Sequence, residues 1–275
     1  MKITVLVENN TESPLCAAQH GLSLYIETGD SKILFDAGQD ELFYGNAKKL
    51  GVSIEDVDIM VLSHGHFDHG GGLPCFLRQN KKTKLYIHEL AFGEYYSRAS
   101  SPPRYIGLDQ DYKEDARLVR NTGYLRINDE LELFSLPPEI SGSFRTKGNE
   151  TLGMRKGDEY VQDPFLHEHS LLITENNKRH LIAGCSHGGI ANILDYAEKL
   201  CGCPIDNVIG GFHLHNSGTK QTESKELVYE LAKKLSQSRA VFYTGHCTGK
   251  MAFVMLREVM GDQVRAVSTG DILEL

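Results

Sequence analysis

Apolar positions come in short runs broken by glycine and polar residues, and two periods alternate along the chain. Lys2–Val7, 22–27 and Lys32–Phe35 read as strands, with Gly29-Asp30 a hairpin signal between the last two. Residues 40–50 carry apolar side chains at helical spacing (Leu42, Ala47, Leu50) and stop at Gly51. Runs 57–62 and 84–87 read as buried strands. Residues 92–165 break this rhythm. Ser100-Ser101-Pro102-Pro103, Pro137-Pro138 and the Gly/Lys/Asn-rich run 142–158 are loop-like. Tyr95, Tyr96, Tyr105, Tyr112 and Tyr124 gather here. The stretch reads as an insertion at about 92–165 that covers a site, or as a surface excursion whose aromatic residues pack locally.

Alternation then returns. Segments 171–174 and 180–183 form strands across an Asn176-Asn177 turn, followed by a helix over 190–200 and a strand at 207–209. Thr222 is placed to cap a helix over 223–236, with Leu227, Val228, Leu231 and Leu235 on one face. A strand at 240–243, a helix over 250–259 and a final strand at 264–268 complete the chain. Both halves share a β-rich plan with flanking helices, the pattern of two sheets packed face to face with helices outside.

Composition narrows the classes. The net charge of −8 argues against a nucleic-acid binder, which carries a basic face. No stretch reaches the roughly 18 apolar residues of a membrane span, and the first apolar run is too short for a signal sequence. The six scattered cysteines make no disulfide framework. A cytoplasmic location is expected.

The densest chemistry is His64-Gly65-His66-Phe67-Asp68-His69, directly after Ile59-Met60-Val61-Leu62. Imidazole nitrogens and a carboxylate suit Zn²⁺, Fe or Mn²⁺. Two His at i and i+2 can converge on one ion from a loop, leaving Asp68 and His69 for a second. Gly70-Gly71-Gly72 follow, which lets the backbone turn sharply. In the second half, three consecutive strands end in glycine and histidine: Gly184-Cys185-Ser186-His187-Gly188-Gly189, Gly210-Gly211-Phe212-His213-Leu214-His215 and Thr244-Gly245-His246-Cys247-Thr248-Gly249. Strand C-terminal ends are where open sheets collect ligands, so metal or substrate ligation is the better reading of the three together.

These residues carry a resemblance. His64–His69 resembles the HxHxDH motif of the metallo-β-lactamase superfamily. Ile33-Leu34-Phe35-Asp36-Ala37-Gly38 resembles the strand–Asp–small–Gly element that precedes it there, and Gly245-His246 that superfamily's final ligand. The three His-bearing segments of the second half resemble a narrower subgroup. Its archaeal members are dihydropterin–ribofuranosylaminobenzene-phosphate synthases, and most of its bacterial members are described only as metal-dependent hydrolases. The resemblance implies an α/β fold of α+β type, a single domain over 1–275 built as a four-layer αββα sandwich. It also implies a binuclear site of two divalent ions, Zn first, with Mn or Fe as alternatives. His64 and His66 hold the first ion, with His187 as third ligand. Asp68 and His69 hold the second, completed by His246. Gly184-Cys185 stands where that family has Gly-Asp, so Cys185 is either a thiolate ligand or an inert buried thiol. His213 is a ligand, a substrate contact or a proton donor. His167 and His169, flanking Glu168, are fallback ligands.

The other candidates are Asp36 as hydrogen-bond partner of a ligand His or as a turn cap, and Glu8-Asn9-Asn10 as a site segment or a turn. Cys201-Gly202-Cys203 reads as a helix-end loop. Arg145, Lys147 and Arg155 bind an anionic group or are solvated surface charge. The expected chemistry is hydrolysis of a phosphodiester or ester in a small, phosphorylated or otherwise anionic molecule. Metal-bound hydroxide is the nucleophile, and Asp68 and His213 are catalytic. The alternatives are a transferase joining a pterin to a ribofuranosylaminobenzene phosphate, and an iron-dependent oxidoreductase.

Overall fold

The computed structural model describes residues 1–140 and 144–275; positions 142 and 143 of the loop-like run 142–158 lie outside the described residues. The chain forms two compact units. The first comprises Met1–Gly93, Ile106–Thr122 and Val267–Leu275, and the second Glu94–Tyr105 and Gly123–Ala266.

The first unit is built on a seven-stranded mixed sheet in the order Ile272–Glu274, Lys2–Val7, Ser23–Glu27, Lys32–Phe35, Ile59–Val61, Lys84–His88, Leu118–Asn121. The strands at one end are antiparallel, and those from Lys32–Phe35 onward are parallel. Alternation puts Leu6, Leu34, Met60 and Leu85 in one buried cluster with Phe43 and Ala47 of the helix Leu42–Lys49 and Phe76 of the helix Leu73–Gln79. Apolar burial of this kind is the main favourable term in folding, at about 25 cal/mol per Å².

The second unit repeats the plan. Its seven-stranded sheet runs Val264–Ala266, Val241–Thr244, Asn207–Gly210, Lys178–Ile182, Ser170–Glu175, Leu131–Phe134, Leu125–Arg126. The first four strands are parallel and the rest antiparallel. The helices Ile190–Cys201, Lys225–Ser236 and Lys250–Met260 bury Ile193, Leu194, Leu231, Leu235 and Leu256 in one cluster with Leu181, Val208 and Phe242. The three His-bearing segments therefore leave three adjacent parallel strands at the same edge, as their sequences imply.

Several boundaries differ from the sequence reading. Ser224, not Thr222, caps the helix Lys225–Ser236: its Oγ accepts from the Leu227 amide at 3.3 Å, while Thr222 pairs in the short strand Gln221–Thr222. Leu152–Lys156, inside the run read as loop, is a strand. It belongs to a four-stranded antiparallel sheet with Glu159–Gln162, Tyr95–Ser97 and Arg104–Tyr105. Long-range pairing supplies what its composition does not. The aromatic residues of this sheet pack locally, Tyr96 meeting Tyr105 and Tyr160 edge-on at 5.4 and 4.9 Å. Val264–Ala266 is not the last strand, because Ile272–Glu274 returns to pair with Lys2–Val7. Gly70, Gly71 and Gly72 make no left-handed turn. They are small for a different reason: a Cβ on Gly71 or Gly72 would lie 2.3 and 2.2 Å from the carbonyl oxygens of Gln39 and Ala37. Among the described residues no helix is long and apolar enough to cross a membrane.

His180, within the strand Lys178–Ile182, is buried, and its Nδ1 lies 3.1 Å from Asn207 Nδ2 across the parallel pair. Burial lowers its pKa from 6.5 to about 4. Between those values the unfolded chain takes up a proton that the folded one does not, so stability falls as pH drops through that window. A His180→Gln variant is expected to show a shallower loss of Tm between pH 6.5 and 4. An unchanged slope would assign that loss to other groups.

Candidate metal centre

In the first unit the strand Ile59–Val61 leads through Leu62 to Ser63, and the motif turns through the short helix Phe67–Gly70. His64, His66, Asp68 and His69 are all buried. His64 Nε2 lies 3.1 Å from His66 Nδ1, and the His64 ring centroid is 4.2 Å from that of His69. Two nitrogens sharing a tetrahedral ion at about 2.0–2.1 Å sit at about this separation. Asp68 Oδ2 is 4.0 Å from His69 Nε2 and 3.1 Å from Nε2 of the half-exposed His20. Behind them lies Asp36, fully buried and held at φ 58. One of its carboxylate oxygens accepts from the Ser63 amide at 2.7 Å. The other accepts from Ser63 Oγ at 2.7 Å and pairs with His69 Nδ1 at 2.6 Å. Ser63 Oγ in turn lies 2.8 Å from His64 Nδ1. With its proton given to Asp36, Ser63 accepts from His64. Both His64 and His69 then carry their proton on Nδ1 and present an Nε2 lone pair. This is the donor set a divalent cation requires.

In the second unit His187 sits just before the helix Ile190–Cys201. Asn149 brackets it: Oδ1 lies 2.9 Å from its Nδ1, and Nδ2 donates to its carbonyl at 2.9 Å. Phe165 stacks on its ring at 4.3 Å. The Glu168 carboxylate takes the amides of His187 and Gly188 at 2.8 and 2.9 Å. Burial pushes the Glu168 pKa up against the pull of those two amides. The next loop follows Asn207–Gly210 and carries His213, whose ring lies 4.2 Å from that of His187. The third carries His246 and Cys247. Ser186, His213 and His246 all have positive φ, at 59, 50 and 49°. Side-chain-bearing residues held this way cost of order 1–3 kcal/mol each and cluster at functional sites. Cys185, His213 and Cys247 bring their ligand atoms within 4.8 Å of one another.

Each unit thus gathers its own predicted residues: His64, His66, Asp68, His69 and Asp36 in the first, and Cys185, His187, His213 and His246 in the second. Asp36 bonds His69 rather than merely capping a turn. His167 is paired with Asp163 at 3.0 Å and lies against Tyr95, and His169 is buried. Glu8 turns back onto the Asn10 amide at 2.6 Å, closing a turn. Arg145, Lys147 and Arg155 are exposed, Arg155 beside Asp158. Sequence reasoning passed over Ser63, His20, Asn149, Glu168 and Cys247. Glu168, between two histidines, and Cys247, beside one, were signals of a kind. The other three have meaning only through their tertiary partners.

The family model of the metallo-β-lactamase superfamily matches residues 18–246, and the chain belongs to that superfamily, whose members use divalent metals. Its mixed sheets with helices are the metallo-β-lactamase fold. It is 34% identical over 227 residues to an uncharacterized protein of Methanocaldococcus jannaschii, covering 77% of this chain and 79% of that one. It is 30% identical to the 7,8-dihydropterin-6-methyl-4-(β-D-ribofuranosyl)-aminobenzene-5'-phosphate synthase of the same archaeon, covering 100% and 96% of the two chains. Among solved structures, Tm1679, a metal-dependent hydrolase of the β-lactamase superfamily, superposes with a TM-score of 0.80 at 25% identity, over 100% of this chain and 99% of that one. Zn²⁺-bound PqqB from Methylobacterium extorquens, at 13% identity and a TM-score of 0.59 over 100% of both chains, shares the fold.

Replacing Asp36 by Asn removes the carboxylate that sets both histidine tautomers. Such outer partners are typically worth about 10–100-fold in metal affinity. Asp36→Asn is expected to bind Zn²⁺ weaker by that factor in competition with a chromophoric chelator, with native far-ultraviolet circular dichroism. Unchanged affinity would show that Asp36 does not prepare a metal ligand.

Proposed function

We propose that the protein is a metal-dependent hydrolase acting on a phosphodiester or ester in a small anionic molecule. The observation that carries this reading is the buried His64–His69 cluster with Asp36 behind it, in a chain of a superfamily that is usually hydrolytic. The proposed ligands are His64, His66, Asp68 and His69 in the first unit, and His187 and His246 in the second. Divalent ions bound there, Zn²⁺ by donor type with Mn²⁺ or Fe²⁺ as alternatives, supply Lewis acidity and an activated water. The chain's own part is orientation. Asp36 and Ser63 fix the ring nitrogens of His64 and His69. Asp68, held by His20, aligns the attacking water through its second oxygen. The low exposure of the cluster strengthens each electrostatic interaction within it.

A second reading is favoured by the 30% identity to the named synthase along the whole chain. In it, an aminobenzene ribofuranoside phosphate displaces diphosphate from a pterin-methyl diphosphate, and divalent ions held by the same residues would neutralise the departing anion.

The test is hydrolysis of bis(p-nitrophenyl) phosphate by protein stripped of metal and reloaded with Zn²⁺, Mn²⁺ or Fe²⁺. Metal-dependent turnover, reduced about 10²-fold or more in Asp68→Ala, is the expected result. Absence of turnover with every metal, together with diphosphate release from the pterin substrate pair, would replace hydrolysis by transfer.

A further inference from the structure

The hydrolytic reading leaves two buried thiols unused, and they lie together. Cys185, His213 and Cys247 come from the loops that end three adjacent parallel strands, Lys178–Ile182, Asn207–Gly210 and Val241–Thr244. They are exposed by only 4, 7 and 6%, and their sulfur and ring-nitrogen atoms all lie within 4.8 Å of one another. A tetrahedral ion with metal–sulfur bonds of about 2.3 Å and a metal–nitrogen bond of about 2.0–2.1 Å separates its donors by about 3.5–3.8 Å. The 4.8 Å bound accommodates that spacing.

The surroundings hold this convergence in place. The Gly211 amide donates to the Gly184 carbonyl at 2.8 Å, and the Phe212 amide donates to Thr248 Oγ1 at 2.9 Å, so the three loops are tied to one another. Gly211 makes room for the sulfur, since a Cβ there would lie 2.5 Å from Cys247 Sγ. The His213 amide points at that sulfur from 3.3 Å, a contact that favours a thiolate. His213 itself is held at φ 50, and neither of its ring nitrogens makes a hydrogen bond among the described residues. A buried imidazole in that condition calls for a partner.

We infer that Cys185, Cys247 and His213 form a soft metal site in the second unit, with two thiolates and one imidazole as donors. Such a set selects Zn²⁺ or another thiophilic ion over Mn²⁺, Mg²⁺ or Ca²⁺. Three protein donors leave the fourth tetrahedral position for water or a substrate atom, the arrangement of reactive zinc rather than of structural zinc. His213 is thereby a ligand and not a proton donor. The site shares no residue with the ligands proposed for hydrolysis, although within the second unit the Cys185 sulfur also lies within 4.8 Å of a ligand atom of His187 and of His246.

Metal-stripped protein titrated with Co²⁺ reads thiolate ligation directly, through a near-ultraviolet sulfur-to-cobalt charge-transfer band. The band is expected in the wild type, about halved in Cys185→Ser or Cys247→Ser, and absent from the double variant. It is expected to persist unchanged in Asp68→Ala, whatever that variant does to hydrolysis. A wild type without the band, or a double variant that keeps it, would overturn the assignment. Differential alkylation of the wild type with peptide mapping needs no variant to fold: Zn²⁺ is expected to protect Cys185 and Cys247 and Mn²⁺ to leave them reactive. Equal labelling of both thiols with and without Zn²⁺ would also overturn it.

Discussion

A carboxylate buried without exposure is tolerable only if its oxygens are satisfied, because desolvating an ion costs several kcal/mol. Asp36 meets this condition with donors that belong to the motif itself: the Ser63 amide, the Ser63 hydroxyl and the His69 ring. The rest of the first unit's cluster follows from that requirement. Ser63 passes the constraint to His64, His64 faces His66, and the backbone is locked by the Asp36 amide on Val61 and the Ala37 amide on the His69 carbonyl. Gly70, Gly71 and Gly72 allow the motif to press against the chain around Ala37 and Gln39. One group therefore serves both stability and chemistry, and the fold cannot satisfy it without also arranging the histidines.

The second unit meets the same problem with Glu168, whose two oxygens cap the amides of His187 and Gly188 ahead of the helix Ile190–Cys201. Asn149 then holds His187 by its carbonyl and by its ring Nδ1. Thr244 and Thr248 join the loops after the other two parallel strands: Thr244 Oγ1 lies 2.7 Å from the Gly210 carbonyl and 2.6 Å from Thr248 Oγ1. These short polar side chains hold three loops at fixed spacing, which lets side-chain-bearing residues such as Ser186, His213 and His246 keep a backbone conformation they rarely adopt. The donors also differ between units. The first offers nitrogen and oxygen, and the second adds sulfur.

Much of the fold was legible because its signals are local. Strand alternation, helical spacing and glycine stops placed most elements to within a residue or two. The histidine motif was dense enough to stand out against any background. The helix Leu73–Gln79 went unread, and the other errors fall where a distant partner decides. The strand Leu152–Lys156 exists because Glu159–Gln162 and Tyr95–Ser97 flank it, and the last strand exists because Lys2–Val7 offers it an edge. Ser224 displaced Thr222 as a cap because Thr222 is taken by pairing with His215.

Residue type and period marked the candidate ligands: His64, His66, Asp68 and His69 in one motif, and His187, His213 and His246 just after three strands. Only the tertiary structure decided which of them share a space. Cys185, His213 and Cys247 are separated by 28 and 34 positions along the chain, yet they meet because parallel pairing aligns the ends of their strands. His167 stands beside the same region in sequence and is nonetheless committed to Asp163. Directed contacts among buried polar groups depend on where the backbone carries them, and hydrophobic pattern holds no record of that.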